Sequence, residues 1–140
     1  MNKQAKLLAF ILTPLFFSAC YGEYENGARL LPVADAGGDI EFTCPALCKD
    51  YNQPQPLDGS ASRDPLGEEL LYNWSIVSLP EKTNFGVGLR NPEAAQPFFT
   101  VHSAGEYVFS LVVTAGDRMS EPDYVTVLVK ENSTDDSSNK

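Results

Sequence analysis

Histidine and cysteine are scarce in this sequence, which has one histidine, His102, and three cysteines among 140 residues. A structural zinc site takes about four nitrogen or sulfur ligands, so this supply argues against zinc. An activated serine or cysteine nucleophile needs a neighbouring base, and no histidine and acid are arranged around one here. The adjacent carboxylates Glu68 and Glu69 are placed on a loop and point apart, which makes a poor acid and base pair. We therefore expect no enzymatic activity.

Positive charge is also scarce, with 10 Lys and Arg against 19 Asp and Glu and a formal net charge of −9. A surface of this sign repels phosphate backbones, so nucleic-acid binding is not expected. It also repels anionic lipid headgroups, so attachment to a membrane requires something other than a basic patch. The simplest effect of the acidity is to keep an exposed protein soluble.

The sequence has no apolar run long enough to span a bilayer, which takes about 20 residues. Residues 7–17 are apolar apart from Thr13 and Pro14, and they follow the positively charged Lys3 and Lys6. A short apolar run behind a basic start is typical of a signal peptide.

The end of this leader reads Phe17-Ser18-Ala19-Cys20. It resembles the lipobox of bacterial lipoproteins, in which small residues precede an invariant cysteine, although Phe17 replaces the usual leucine. The resemblance implies a thioether-linked lipid on Cys20, cleavage before it, and acylation of the new amino terminus by a fatty acid such as palmitate. Tyr21 stands where an aspartate can signal retention at the inner membrane, so by analogy we expect an outer-membrane location.

The alternative is an ordinary secretory signal cut near Ala19, which leaves Cys20 as a plain thiol. The residues after Cys20 are polar and contain glycine, which predicts a flexible tether. The last ten residues contain no apolar side chain, which predicts disorder. The predicted organisation is a signal peptide (1–19), a lipidated cysteine and tether (20–30), a folded domain (31–130) and a disordered acidic tail (131–140).

The folded part lacks helical periodicity, and its alternation of apolar and polar residues predicts strands. The clearest are 106–114, 123–129, 70–77 and 98–101, with shorter candidates at 31–36, 41–43, 56–58 and 85–89. Residues 115–122 are predicted to form a hairpin loop. The alternation places one set of side chains of the long strands in the core, namely Tyr72, Trp74, Ile76, Tyr107, Phe109, Leu111, Val113, Val125, Val127 and Val129.

An ordered series of motifs covers this region. It comprises PVADAG (32–37), LDGSASRDP (57–65), LYNWS (71–75), SLP (78–80), PFFT (97–100), AGEY (104–107), FSLVVT (109–114) and DYVTV (123–127). The series resembles the PKD (polycystic kidney disease) domain over residues 31–130. The resemblance implies an immunoglobulin-like all-β sandwich of about seven strands. Trp74 suits the large ring buried between the sheets, and Tyr107 suits a tyrosine corner.

The sequence departs from the PKD pattern in two places. The WDFGDG core of many PKD domains is absent, because Trp74 is followed by Ser75-Ile76-Val77. A CPALC insertion brings Cys44 and Cys48 close together. If Cys20 carries lipid, Cys44 and Cys48 are the two cysteines that remain, and in an exported protein we expect them to form a disulfide. A redox pair is the alternative, although it usually requires CxxC at the start of a helix.

Calcium is the one cofactor candidate, because some PKD domains of secreted proteases hold it near the turn that contains Asp58, Ser60 and Asp64. Calcium needs six to eight oxygen ligands. Leu66 stands where a second acidic residue would be expected, and the aspartates of the missing core motif are absent. The favoured alternative is that the three residues cap turns.

These features predict a lipid-anchored envelope protein, held to the bilayer by acylated Cys20, whose PKD-like domain is a non-catalytic binding or spacer module. Its partner would be an envelope protein or a polysaccharide. The predicted contact surfaces are the sheet faces, the loops 80–97 and 115–122, and the outward residues Tyr124 and Leu128. The alternative is a structural subunit that adds its edge strand to a larger assembly.

Overall fold

The computed structural model describes residues 24–25, 28–44, 48, 53–81 and 87–132. The predicted leader, Cys20 and most of the predicted tail lie outside these residues. Within them, no helix has the length and apolar character needed to cross a membrane. The segment predicted as a tether contains a short antiparallel pair of two-residue strands.

The described residues form ten strands and no α-helix. In chain order the strands are β1 (Tyr24–Glu25), β2 (Ala28–Arg29), β3 (Ile40–Cys44), β4 (Pro54–Pro56), β5 (Leu71–Ser78), β6 (Leu89–Arg90), β7 (Phe98–Thr100), β8 (Gly105–Ala115), β9 (Arg118–Met119) and β10 (Asp123–Glu131).

Eight of these described strands form two sheets. The larger has the order β3-β10-β8-β5, with β9 paired to the end of β8, and the smaller has the order β4-β7-β6. β3 runs parallel to β10, and the other pairs are antiparallel. The prediction of an all-β sandwich is confirmed.

The core lies between the two sheets and follows the alternation of β8. Tyr107, Phe109, Leu111 and Val113 are fully buried, while the residues between them are half-buried on the opposite face. The ring of Phe99, from the smaller sheet, packs 5.8 Å from the ring of Tyr107 and 4.7 Å from that of Phe109. Such aromatic contacts add about 0.5–1.5 kcal/mol each to the effect of area burial. They join the two layers at the centre of the domain.

The prediction of a strand at 31–36 is wrong. Among these residues the structure has only an isolated bridge between Val33 and Arg63. The Asp35 amide donates instead to Ser62 Oγ at 3.0 Å, and the Ala36 amide donates to Asp123 Oδ2 at 2.7 Å. Because side chains take these amides, no ladder continues along the segment.

Two other short strands lie at slightly different residues from those predicted. The strand predicted at 56–58 is β4, Pro54–Pro56, which lies at a sheet edge, where proline is tolerated because it has no amide to donate. The strand predicted at 85–89 is β6, Leu89–Arg90, and residues 82–86 are outside the described part. The loop predicted at 115–122 contains β9, whose Arg118 is buried.

Candidate functional site

A cluster of charged side chains joins the β8–β9 hairpin to the loop before β5. Arg118 Nη1 lies 2.5 Å from Asp64 Oδ1, and Nη2 lies 2.9 Å from Oδ2. Nη2 also donates to Glu68 Oε2 at 2.9 Å. The Arg118 and Asp64 side chains are almost completely buried, whereas that of Glu68 is about half exposed. A planar guanidinium bound to both carboxylate oxygens is among the stronger charged hydrogen-bond arrangements.

The pair is held in its charged form. The hydrogen bond from Arg118 lowers the pKa of Asp64 against the opposing effect of burial, and the amides of Glu68 and Leu66 add to the lowering. In return, Asp64 raises the pKa of Arg118 further above its usual range. Both Asp64 oxygens are therefore committed to hydrogen bonds within the protein. The role of this pair is to fix two loops in place.

The turn at Asp58 and Ser60, the other two calcium candidates, has the geometry of a capped turn. Asp58 Oδ1 accepts the Ser60 amide at 3.0 Å. Hydrogen bonds from Ser60, and one from Gln96, lower the pKa of Asp58. Among the described residues, no group of three or more His, Cys, Asp or Glu side chains is placed to hold a metal ion. Calcium binding at this turn stays untested.

Arg118 also fastens the N-terminal segment to the sandwich. Its Nη1 donates to the Leu30 carbonyl at 2.9 Å. Three residues further on, the Val33 amide donates to the Arg63 carbonyl at 2.8 Å, and the Arg63 amide donates back at 3.0 Å. The domain is thus fixed at the residue where the predicted tether ends.

Tyr107 and Trp74, which the sequence singles out among the predicted core residues, are both buried. The Tyr107 hydroxyl donates to the Ser103 carbonyl at 2.8 Å and accepts the Ser103 amide at 3.2 Å. This is the backbone tie of a tyrosine corner. The half-buried His102 lies beside it and donates its amide to the same hydroxyl at 3.5 Å. These contacts stabilise the loop before β8.

Cys44 and Cys48 form the predicted disulfide, with their Cα atoms 5.4 Å apart. Both cysteines are buried. The Cys48 amide donates to Glu131 Oε1 at 3.4 Å, and its sulfur lies 3.8 Å from the Lys130 carbonyl oxygen. Cys48, joined by the disulfide to the end of β3, therefore lies against the end of β10.

The outer face of the larger sheet carries an apolar patch. Leu71, Val77, Met119 and Tyr124 are 67%, 54%, 61% and 53% exposed. The sheet register places Leu71 and Met119 on either side of Thr114, and it places Tyr124 opposite Ser110. We define the apolar patch as these four exposed residues and the half-buried valines between them, Val108 and Val112.

The sequence predicts only part of this patch. Tyr124 is predicted to face outward and is exposed, while Leu128, the other residue predicted to face outward, is half-buried on the same strand. Leu71 and Met119 are not among the residues predicted to form a contact surface. The parity of β5 indicates the direction of Leu71, which alternates with the inward Tyr72 and Trp74. Met119 lies in a segment predicted to be a loop, where no alternation along a strand indicates the direction of its side chain.

A model of the "K319L-like, PKD domain" family matches residues 36–129. The chain belongs to this family of PKD domains. The match covers nearly all of the sandwich, from the end of the bridged N-terminal segment into the last residues of β10.

Solved structures agree with this assignment. A solution structure of the PKD domain from the KIAA 1837 protein is 34% identical, with a TM-score of 0.56, over 71% of this chain and 87% of that one. The PKD domain from human KIAA0319 has a TM-score of 0.57 at 22% identity, over 84% of this chain and 98% of that one. The sandwich is therefore an immunoglobulin-like fold of the PKD type.

A third structure shares the fold alone. It is a nucleoside hydrolase-related hypothetical protein from Saccharophagus degradans, associated with carbohydrate metabolism, with 22% identity and a TM-score of 0.52. The match covers 76% of this chain but only 26% of that one. No curated protein matches the chain. The family that matches is a PKD domain, typically a binding or spacer module, and not an enzymatic family.

Proposed function

We propose that this PKD-domain protein is a lipid-anchored protein of the cell envelope, held at the outer membrane by acylated Cys20, and that its sandwich is a non-catalytic binding module. The observation that carries the proposal is the order of features along the chain. A signal ending in Ser18-Ala19-Cys20 is followed by a short polar segment and then by the PKD domain, whose match begins at residue 36.

The hydrogen bond that holds the end of the predicted tether to the sandwich supports attachment to a membrane through Cys20. The Leu30 carbonyl is bound by the buried Arg118, so the sandwich is held at the last residue of the predicted tether. Several acyl chains on one cysteine give far firmer attachment than one chain, because each buried CH₂ contributes about 0.8 kcal/mol. A short tether from such an anchor keeps the domain close to the membrane.

The surface supports binding over catalysis. The described residues present an apolar patch on a sheet face, and their charged cluster at Arg118 has its hydrogen-bonding groups engaged within the fold. Exposed apolar patches on soluble domains commonly mark interaction sites.

Membrane fractionation tests this proposal, with a variant in which residues 1–20 are replaced by a cleavable secretory signal that has no cysteine. We expect the wild-type chain in the membrane fraction, extracted by detergent and not by high salt, and the cleaved variant in the soluble fraction. A cleaved variant that stays in the membrane like the wild type would contradict the lipid anchor. A purified chain that turns over hydrolase substrates would contradict the non-catalytic role.

A further inference from the structure

The apolar patch differs from the rest of this acidic protein because its centre is uncharged. On β5 and β8 the outward positions between its apolar residues carry Asn73, Ser75, Ser110 and Thr114, none of which is ionisable. The chain as a whole has a formal net charge of −9. A neutral apolar area on such a surface requires an explanation.

The size of the patch suits the centre of a protein interface. Strands lie about 4.8 Å apart and rise about 3.4 Å per residue, so the patch measures roughly 10 Å across the strands and roughly 20 Å along them. A standard interface buries about 800 Å² on each partner and has an apolar centre inside a polar border. The patch fits that centre, and the surrounding residues fit the border.

The border is acidic. The exposed Glu106 shares the outward face of β8 with Val108, two residues away. At the other end of the patch, the exposed Glu93 lines a cleft with Leu71 and Asn73. On the same face as Val108, the cation Lys130 forms an ion pair with Glu41. Carboxylates therefore lie at both ends of the patch.

We infer that the apolar patch is a docking surface for another envelope protein, one that presents apolar side chains flanked by lysine and arginine. This inference rests on the proposed envelope location. Complementary charge favours such a partner and speeds its encounter. A second copy of this chain would bring two acidic borders together, and an anionic lipid surface or an acidic polysaccharide would be repelled in the same way.

Site-specific photocrosslinking in native membranes tests the inference. The full-length chain carries a benzoylphenylalanine in place of Met119, and a matched chain carries it in place of Phe98, which is exposed on the smaller sheet. We expect one adduct with a different protein from position 119 and none from position 98. Raising NaCl from about 0.05 M to about 0.5 M before irradiation shortens the screening length about threefold and should lower the yield at least about fivefold.

A second variant checks that the patch itself is the contact. Leu71→Asp, combined with the crosslinker at position 119, should abolish the adduct while the thermal midpoint stays unchanged. Mapping of the crosslinked peptide should place it beside lysine or arginine on the partner. An adduct of two copies of this chain, a lipid adduct, equal yields from both positions, no adduct, or a yield indifferent to salt would each overturn the inference.

Fractionation of the same membranes separates this inference from the proposed function. A chain that remains anchored but gives no adduct at position 119 refutes only the docking surface. A chain that is released from the membrane refutes the anchor.

Discussion

Arg118 on β9 and Asp64 in the loop before β5 form a buried ion pair with two parallel contacts, Nη1 to Oδ1 at 2.5 Å and Nη2 to Oδ2 at 2.9 Å. The two residues are 54 positions apart. Because Arg118 also binds the Leu30 carbonyl, one guanidinium connects three separate segments. This side chain therefore acts together with the bonds of Val33, Asp35 and Ala36 to fix the N-terminal segment on the sandwich.

Removing Arg118 should destabilise the domain strongly. Arg118→Ala leaves Asp64 buried without its cation, a change that costs far more than loss of an exposed pair. We expect the thermal midpoint to fall by about 10 °C or more. Arg90→Ala, at an exposed arginine on β6, is the matched control and should change the midpoint by no more than about 2 °C. Similar midpoints for the two variants would show that the pair adds nothing to stability.

The same pair makes stability depend on acid pH. The folded-state pKa of Asp64 lies below its ordinary value of 3.8. The unfolded chain therefore binds the proton first, so the contribution is complete above that value and is lost as pH falls through the lowered pKa. Urea unfolding between about pH 2 and pH 6 should show this fall in wild type. The slope should be smaller in Asp64→Asn, and a slope unchanged by that substitution would argue against the assignment.

Gly59 lies where no side chain fits. A Cβ there would be 2.7 Å from Leu111 Cδ2 and 2.9 Å from Trp74 Cζ2. Gly59→Ala should therefore destabilise the domain by about 1–3 kcal/mol through overpacking, measured by urea unfolding with Trp74 fluorescence as the probe. Gly38→Ala is the control, because a Cβ at Gly38 has nothing within 4 Å. An equal effect of the two substitutions would mean that the packing around Trp74 differs from this description.

The contribution of the tyrosine corner to stability can be measured by removing one oxygen atom, the Tyr107 hydroxyl. Tyr107→Phe removes the hydroxyl that binds both the amide and the carbonyl of Ser103. We expect a loss of about 1–2 kcal/mol in the free energy of unfolding. Tyr124→Phe removes a hydroxyl from an exposed ring and should cost less than about 0.5 kcal/mol. The prediction fails if both hydroxyls contribute equally.

The central strands could be predicted from the sequence because their alternation is unbroken. β8 and β10 each bury every second residue, and this pattern alone defines their inner faces. The disulfide of Cys44 and Cys48 was also accessible from the cysteine count. The inner faces of the strands follow from a period of two residues, and the disulfide joins cysteines that are close in the sequence.

The rest depends on contacts between distant residues. The sequence places Asp64 among the calcium candidates because no local signal indicates that its cation lies in a hairpin 54 residues away. The strand expected at 31–36 is lost because Ser62 and Asp123 take its amides, which depends on the tertiary fold. The apolar patch forms only when the register brings Leu71, Thr114 and Met119 side by side.

Lipidation at Cys20 can be read from the intact mass of the full chain, extracted from membranes of a producing bacterium with and without globomycin. We expect a chain that begins at Cys20 and carries a diacylglyceryl group and an amino-terminal acyl chain. With globomycin, residues 1–19 should be retained on a chain already modified at Cys20. A mature chain with an unmodified Cys20, insensitive to globomycin, would contradict the lipid anchor.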